Sequence, residues 1–354
     1  MVKVAAIDCG SNSTRLLIAN VLSGELEPLY KTHQVTKTSE GVEENHEISE
    51  DAKNRLIKIL RTYVKKINIE NVDQIFITGT AAFRDAQNSD IVIEEIRKKL
   101  DLEIQVISGE EEGFLTSLGV LSSCEIQDNF FIVDIGGRST ELIYDIDNRT
   151  QVNSLDLGVV SLTERILKKN PLNEKQVFEA GKLINQNLNI EINTDTASLI
   201  GVAGTFTSIA SIFLQQKTYN ENEIHMSNLS FDWISELSSN LNEMTEAQII
   251  NKYTSLDPKR AKTLSAGALI ITNIMKKFKF DDFKIEIVEP TININPIIRE
   301  LNPNKMTIQV DVILEDSSGS KFGVTLENVS VNNLTYTAET LEQRVLEHLE
   351  NFKI

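Results

Sequence analysis

The sequence carries one short pattern twice, and this duplication constrains the fold more than any other feature. In each copy an apolar run ends in an aspartate, a turn rich in glycine and hydroxyl residues follows, and a second apolar run comes after the turn. The first copy comprises Val4–Ile7, Asp8, Gly10–Ser13 and Leu16–Ala19, and the second comprises Phe130–Val133, Asp134, Gly136–Thr140 and Leu142–Tyr144. Such runs around a tight glycine turn predict a β-hairpin. We therefore expect two related halves that face each other.

Both turns are suited to bind phosphate. Consecutive backbone N–H groups in a glycine turn form a concavity for anions, and serine and threonine hydroxyls add donors. An aspartate at the end of a strand, such as Asp134, is placed to hold a metal-bound water. Each aspartate alone could simply cap its turn, but the repeated context favours a ligand site between the two halves.

The composition disfavours several classes of function. The chain has 354 residues, of which 52 are acidic and 35 basic, and its formal net charge is −17. This balance argues against binding to nucleic acid or to an anionic membrane. A polyanionic substrate would need a local basic lining and a divalent cation. The four histidines are scattered, without metal-ligand spacing.

We expect a cytoplasmic protein that has no membrane partner. No apolar run approaches the roughly 20 residues that a membrane span needs, and the N-terminus enters a strand without a signal-peptide pattern. The two cysteines, Cys9 and Cys124, are too few for a disulfide framework. A homodimer stays an open alternative.

Strand and helix patterns alternate along most of the chain, which indicates an α/β layer architecture. We divide it into a first half (1–123), a second half (124–300) and a tail (301–354). The tail begins with the Asn- and Pro-containing linker Leu301–Lys305 and continues with two strand patterns and an amphipathic helix over 339–352. We expect it to be an accessory module, whose removal leaves a folded protein.

The segment from Ser108 to Ser123 predicts a helix that faces the cleft. Ser108 can cap a first turn that contains Glu110, Glu111 and Glu112. Its apolar face contains Phe114, Leu115, Leu118 and Leu121. At helical spacing Glu111 falls on that face, whereas Glu112 falls opposite, on a strip with Thr116, Gly119 and Ser123. Glu112 is therefore a candidate functional carboxylate, although first-turn acids can also serve only the helix dipole.

A third turn of the same chemistry follows a strand near residue 200. Ala203–Ser208 opens a helix, and a helix N-terminus binds anions. Gly204 and Thr205 are therefore candidate phosphate contacts, with a plain strand–helix connection as an equal alternative.

Six strings, in order and at characteristic spacing, resemble the exopolyphosphatase/guanosine pentaphosphate phosphatase family over roughly residues 1–300. They are Asp8–Ser13, Gly79–Asp85, Ile107–Glu112, Asp134–Glu141, Leu157–Glu164 and Gly201–Thr207. The resemblance implies a duplicated ribonuclease-H-like fold, the type of actin, sugar kinases and Hsp70, with a cleft between its halves. It also implies Mg²⁺-dependent release of terminal phosphate from inorganic polyphosphate or from guanosine pentaphosphate.

The resemblance also implies roles for individual residues. Glu112 matches the catalytic base, Arg84 a phosphate-contacting arginine, and Asp8 and Asp134 the metal ligands, with Asp134 also catalytic. The residues that match the phosphate-binding turns, with the acidic residue that follows, are Ser11, Asn12, Ser13, Gly136, Gly137, Ser139 and Glu141.

Two departures keep other interpretations open. Arg138 stands where the family has glycine, and Val288–Ile297 lacks the glycine of the corresponding family segment. We expect Arg138 to add positive charge to the substrate channel. The alternatives are a guanosine pentaphosphate hydrolase, a relative of sugar or acid kinases, and a non-catalytic sensor of polyphosphate or an alarmone.

Overall fold

The computed structural model describes residues 2–22, 25–123, 129–146, 149–192, 194, 197–287, 307–315 and 321–330. The Val288–Ile297 segment, the linker Leu301–Lys305 and the helix that we predict over 339–352 lie outside these residues.

The first half is built on a five-stranded sheet with the order β3-β2-β1-β4-β5. Its strands are β1 Val2–Cys9, β2 Ser13–Leu22, β3 Glu25–Val35, β4 Gln74–Gly79 and β5 Gln105–Val106. Its helices are α1 Val42–Asn45, α2 Glu50–Glu70, α3 Ala81–Asp85 and α4 Ser89–Leu100. Helix α5, Gly109–Ser123, leads into the second half.

The second half is built on a six-stranded sheet with the order β10-β11-β9-β6-β7-β8. Its strands are β6 Phe130–Ile135, β7 Thr140–Ile146, β8 Arg149–Leu155, β9 Ser198–Val202, β10 Asn228–Ser230 and β11 Asp282–Ile285. Its helices are α6 Val159–Leu162, which continues as a π-helical turn Thr163–Leu167, α7 Glu174–Asn187, α8 Ala203–Phe213, α9 Glu221–Ile224, α10 Phe231–Glu243, α11 Glu246–Lys252 and α12 Ala261–Phe278. A 3₁₀ turn, Pro258–Arg260, precedes α12.

The two sheets repeat one topology. In the first, β1 pairs antiparallel with β2 and parallel with β4. In the second, β6 pairs antiparallel with β7 and parallel with β9. The hairpins β1–β2 and β6–β7 are those that the duplicated sequence pattern predicts. The prediction of two α/β halves of this duplicated type is confirmed.

Each half has its own hydrophobic core. Helix α2 starts where predicted, because the Ser49 hydroxyl accepts a hydrogen bond from the Ala52 N–H at 3.2 Å. Its apolar stripe, which includes Leu56, Leu60 and Ile67, is buried against the first sheet. Burying each such side chain stabilises the fold by about 1.5–3 kcal/mol. Helix α12 and its neighbours cover the second sheet in the same way.

Helix α5 packs on the second sheet, although it precedes the boundary at residue 123. Val120 joins a core cluster with Phe130, Ile132 and Ile143 of that sheet. A Cβ at Gly113 would lie 2.4 Å from Cγ1 of Val152, so only glycine permits this close approach. The division at residue 123 stays a prediction, and by packing α5 belongs with the second half.

The prediction that the leucine side of α5 is its buried face is wrong. Thr116, Ser117 and Val120 are buried, whereas Phe114 and Leu115 are only half-buried. Small residues allow the helix to lie close to the sheet, and this outweighs the larger apolar area of the leucines. Glu111 has a capping role, because its Oε2 accepts from the Ser108 N–H at 2.7 Å and its own N–H donates to the Ser108 hydroxyl at 3.1 Å.

The tail contains the two strands that its pattern predicts. β12, Thr307–Glu315, and β13, Lys321–Ser330, pair antiparallel as a separate two-stranded sheet. Within the described part of the chain, no helix has the length and apolar character that a membrane crossing requires.

Candidate active site

The two glycine–serine turns meet at the boundary between the halves. A Cβ at Gly137 would lie 2.9 Å from Cβ of Ser11 and 3.3 Å from the backbone nitrogen of Asn12. Carbonyl groups of both turns accept hydrogen bonds from backbone N–H groups of neighbouring segments. Asn12 O accepts from Thr36 N at 3.0 Å, and Gly136 O accepts from Val159 N at the same distance. Both turns are therefore held firmly while they face one pocket.

That pocket brings together most of the residues that the sequence predicts for the site. The predicted residues among its lining are Asp8, Ser11, Asn12, Ser13, Glu112, Asp134, Gly136, Gly137, Ser139, Gly204 and Thr205. They come from β1, β6, both turns and the N-termini of α5 and α8, so the pocket forms only when the two halves assemble.

The two aspartates occupy equivalent positions but have opposite neighbours. Asp8 lies across the β1–β2 ladder from Arg15, and Asp134 lies across the β6–β7 ladder from Glu141. Arg15 Nη1 is 3.9 Å from Asp8 Oδ2. Asp134 Oδ2 accepts a hydrogen bond of 3.3 Å from the hydroxyl of Thr116. The duplication thus supplies one basic and one acidic group beside a pair of matched carboxylates.

Glu112 is held by Arg84 at the edge of the pocket. Arg84 Nη1 lies 2.9 Å from Glu112 Oε2 and also donates to the Ile107 carbonyl at 2.9 Å. The Arg84 side chain therefore positions the carboxylate of Glu112, while Thr116, one turn further along α5, positions Asp134. Arg84 is not among the residues that line the pocket, so the predicted phosphate contact has no support. Of the strip that the helical spacing predicts to face a cleft, Glu112 and Thr116 line the site, whereas Gly119 lines neither the pocket nor the adjoining cavity.

Burial dominates the electrostatics of these acids. It raises the pKa of Glu112 to about 7, with Arg84 opposing the shift and Asp134 adding to it. Burial also raises the pKa of Asp8 and of Asp134, in both cases against the attraction of Arg15. A carboxyl group with a pKa near neutrality can take up and release a proton at physiological pH.

Helix α8 directs its N-terminus to the same pocket. Its first residue, Ala203, has φ of 68°, a left-handed conformation that is uncommon for alanine. No side chain caps the N-terminus of α8, and Ala203, Gly204 and Thr205 all line the pocket. The Thr205 hydroxyl donates to the Ile135 carbonyl at 3.2 Å. The backbone of this turn is therefore better placed than the Thr205 hydroxyl to receive an anion.

The prediction that Arg138 points into the substrate channel is wrong. Its side chain is 5% exposed, and its Nε and Nη2 donate to Asp85 at 2.5 Å and to Glu43 at 3.0 Å. Arg138 does not line the pocket, although Gly137 and Ser139 on either side of it do. Two carboxylates of the first half attract the guanidinium away from the opening.

Glu141 is also absent from the pocket lining. It is 1% exposed, and its Oε1 accepts from the Ser154 hydroxyl at 2.9 Å. Burial raises its pKa well above the ordinary value, and the neighbouring charge of Glu112 adds to this. Glu141 therefore lies behind the site as a buried acid, and a phosphate-binding role has no support.

Two arginines of the pocket were missed in the sequence. Arg15 lies on β2 opposite Asp8, and strand alternation after Ser13 could have identified it. Arg260, just before α12, lies against Gly204, where a Cβ would be 2.2 Å from its Nη1. No local pattern marks Arg260, because it meets the pocket only through the fold of the second half.

A larger cavity of about 680 Å³ adjoins the pocket between the halves. It shares Glu112, Asp134 and both arginines with the pocket. It adds Lys31, His33, Lys217 and Tyr219 to its lining. Lys31 of β3 and Glu221 of α9 form an ion pair of 2.7 Å across the two halves at this cavity.

The chain is similar in sequence to several phosphatases and pyrophosphatases. The bifunctional 3-dehydroquinate synthase/phosphatase of Fusobacterium nucleatum is 32% identical over 78% of this chain and 44% of its own. Exopolyphosphatase 2 of Mycobacterium tuberculosis is 28% identical over 79% and 92%. The guanosine-5′-triphosphate,3′-diphosphate pyrophosphatase of Pseudoalteromonas atlantica is 30% identical over 60% and 43%. The chain thus spans less than half of the first and third relatives, but nearly all of the second.

Structure and family comparison agree with these similarities. The crystal structure of the Aquifex aeolicus member of the Ppx/GppA protein family matches with a TM-score of 0.70 and 26% identity, over 83% of this chain and 96% of that one. The model of the Ppx/GppA phosphatase family matches residues 17–289, which include the pocket residues from Ala203 to Arg260 and both Glu112 and Asp134. The chain belongs to the Ppx/GppA phosphatase family.

Proposed function

We propose that this protein hydrolyses the terminal phosphoanhydride bond of inorganic polyphosphate, with Glu112 as the general base. The observation that carries the proposal is the position of Glu112 in a pocket that two glycine–serine turns share. Its raised pKa of about 7 makes it a stronger base than an ordinary glutamate while leaving it substantially ionised at neutral pH. Arg84 orients the carboxylate through a 2.9 Å contact, so that it can accept a proton from an attacking water.

Donors of three kinds would hold the phosphate chain. The turns after β1 and β6 offer backbone N–H groups and serine hydroxyls, and the uncapped N-terminus of α8 offers further N–H groups. Arg15 and Arg260 add positive charge inside a protein whose net charge is −17. A terminal phosphate held between the two turns would lie beside Glu112, with the rest of the chain extending into the larger cavity.

The donor set fits Mg²⁺. Asp8 and Asp134 supply hard oxygen ligands at equivalent strand positions, and both carboxyl groups have a pKa raised by burial, which a nearby cation would offset. Among the described residues, no group of three His, Cys, Asp or Glu side chains could hold a metal ion. Mg²⁺ commonly binds through one or two carboxylates together with substrate phosphates. When bound, it neutralises charge on the transferred phosphoryl group.

One assay tests the proposal directly. Phosphate release is measured with Mg²⁺ from long-chain polyphosphate, tripolyphosphate and guanosine pentaphosphate, for the wild type and for Glu112→Gln. We expect Mg²⁺-dependent release from polyphosphate by the wild type and a large loss in the variant. If the wild type binds polyphosphate without releasing phosphate, the sensor interpretation replaces the enzymatic one.

A second candidate function is hydrolysis of guanosine pentaphosphate, which the size of the larger cavity favours. A volume of about 680 Å³ is sufficient for a nucleoside. Tyr219 and His33 offer ring surfaces there, and Lys217 offers charge for a second phosphate group, whereas the Lys31 ammonium is paired with Glu221. A kcat/KM for guanosine pentaphosphate well above that for tripolyphosphate in the same assay would favour this candidate.

A further inference from the structure

Arg138 joins the second phosphate turn to the first half of the protein. Its backbone belongs to the turn between Gly136 and Ser139, both of which line the pocket. Its guanidinium bonds two carboxylates of the other half, Asp85 at 2.5 Å and Glu43 at 3.0 Å. One nearly buried side chain thus connects the halves at the point where the phosphate turns meet.

The contact with Asp85 acts on the segment that carries Arg84. Helix α3 consists of Ala81–Asp85 only, and its N-cap residue, Thr80, makes no capping bond through its side chain. Arg84 and Asp85 are its last two residues. Arg84 in turn holds Glu112 at 2.9 Å. A movement of Asp85 would therefore displace Arg84 and, through it, the carboxylate of Glu112.

We propose that Arg138 is a positioning residue, which aligns Glu112 with the second phosphate turn through Asp85 and Arg84. The proposal rests on the role of Glu112 in the proposed function. Arg138 does not touch the substrate. It fixes the distance between the turn that holds phosphate and the short helix whose arginine orients the base.

The bonding of Arg138 is better suited to alignment than to stability. Its Nη1 is buried without a hydrogen-bond partner among the described residues. Burying a guanidinium costs free energy that incomplete pairing offsets poorly, so such a group is weak evidence for a stabilising role. The halves have other connections, since Glu164 accepts from the Gly41 N–H at 3.1 Å. Loss of the Arg138 side chain should therefore leave the halves assembled.

Arg165 provides a matched control. It donates from Nε to the same Glu43 at 2.6 Å and also pairs with Asp156, but it has no contact with Asp85. Arg165→Met therefore removes a guanidinium that bridges the halves and leaves the connection to Arg84 intact. Arg138→Met removes both connections.

The experiment compares kcat and KM for tripolyphosphate with Mg²⁺ in the wild type, Arg138→Met, Arg138→Lys and Arg165→Met. We expect Arg138→Met to lower kcat by roughly 10- to 100-fold, because a displacement of about 1 Å can cost that much. KM should stay within about threefold, and Arg138→Lys, which keeps one charged donor, should recover part of kcat. Arg165→Met should keep kcat within about twofold of the wild type.

The route through Asp85 has its own test. Asp85→Asn should lower kcat, and combining it with Arg138→Met should lower kcat no further, since both changes break one connection. Fully multiplicative effects would overturn the proposal. So would an Arg165→Met variant as impaired as Arg138→Met, or an Arg138→Met variant that loses thermal stability while its folded fraction keeps the wild-type kcat.

A measurement without turnover separates this proposal from the proposed function. Hydrogen exchange of the amides of residues 80–86 should accelerate in Arg138→Met and stay unchanged in Arg165→Met. If the wild type hydrolyses none of the substrates, the proposed function fails and this exchange result still reports whether Arg138 holds α3. Unchanged exchange in Arg138→Met would overturn the positioning role even in an active enzyme.

Discussion

Replacing Glu112 by glutamine tests the mechanism most directly. The substitution keeps the shape of the side chain and removes the group that accepts a proton. General-base catalysis contributes about 10²- to 10⁴-fold, so kcat for polyphosphate should fall by at least about 100-fold. Glu111→Gln is the matched control, since glutamine retains the capping interaction of Glu111 with Ser108 and should keep kcat within about twofold.

The pH dependence of kcat/KM tests the role of Glu112 as base in a second way. With a pKa of about 7, Glu112 is ionised to about one-half at pH 7 and about one-tenth at pH 6, so kcat/KM should fall about fivefold between pH 7 and pH 6 and about tenfold per pH unit below that. A glutamate at its usual pKa of 4.5 would keep kcat/KM constant over that interval. Mg²⁺ should be saturating at each pH, so that protonation of Asp8 and Asp134 is not mistaken for protonation of the base. The bound cation would offset the part of the pKa shift of Glu112 that these two carboxylates add, while burial, the largest cause, keeps the acid limb above the ordinary glutamate value of 4.5.

Thermal unfolding separates catalysis from folding. A carboxyl group whose pKa is raised in the folded state contributes stability below its unfolded pKa and loses that contribution as pH rises through the folded value. The stability of Glu112→Gln relative to the wild type should therefore increase as pH rises from 4.5 to about 7 and level off above that. A wild-type rate in Glu112→Gln, or an acid limb near pH 7 that survives in this variant, would refute the role of Glu112 as base.

Other perturbations test the surrounding structure. Because Arg84 lowers the pKa of Glu112, Arg84→Met should reduce kcat and move the acid limb of kcat/KM to higher pH; a shift to lower pH would contradict this. Gly137→Ala adds a Cβ 2.9 Å from Cβ of Ser11, so it should cost about 1–3 kcal/mol of stability in thermal melts and lower phosphate release, and a variant unchanged in both would show that the turns can separate freely. Burial raises the pKa of Glu141, so Glu141→Gln should gain stability relative to the wild type as pH rises above the ordinary glutamate value of 4.5, whereas a loss would indicate that ionised Glu141 is needed for folding.

The duplicated turns could be predicted because their information is local. Strand alternation, a glycine turn and a terminal aspartate occupy about fifteen consecutive residues, and two such copies imply two facing halves. Glu112 was identified by helical spacing and by resemblance. Glu112 and Thr116 of the predicted strip reach the site, but most of that side of α5 packs on the second sheet instead of facing a cleft. The buried face could not be assigned from the sequence, because the packing partner of α5 comes later in the chain.

Arg138 and Arg260 show what local patterns cannot provide. The direction of the Arg138 side chain depends on Asp85 and Glu43, which are 53 and 95 residues away in the sequence. Arg260 reaches the pocket because α12 and α8 pack side by side. Long side chains take the direction of the strongest opposite charge within reach, and that charge is known only when the fold is known.

Because Gly204 lies against Arg260, a single methyl group at residue 204 would change where the positive charge of Arg260 lies in the pocket. A Cβ at residue 204 would lie 2.2 Å from Nη1 and 2.5 Å from Nη2 of Arg260, the mobile end of a long side chain. An alanine there would push the guanidinium aside at little cost to folding, while the arginine itself remained in the sequence. Positions 204 and 260 should therefore covary among relatives. Where residue 204 has a side chain, an arginine at 260 could not occupy this place in the pocket, so we expect other residues at position 260.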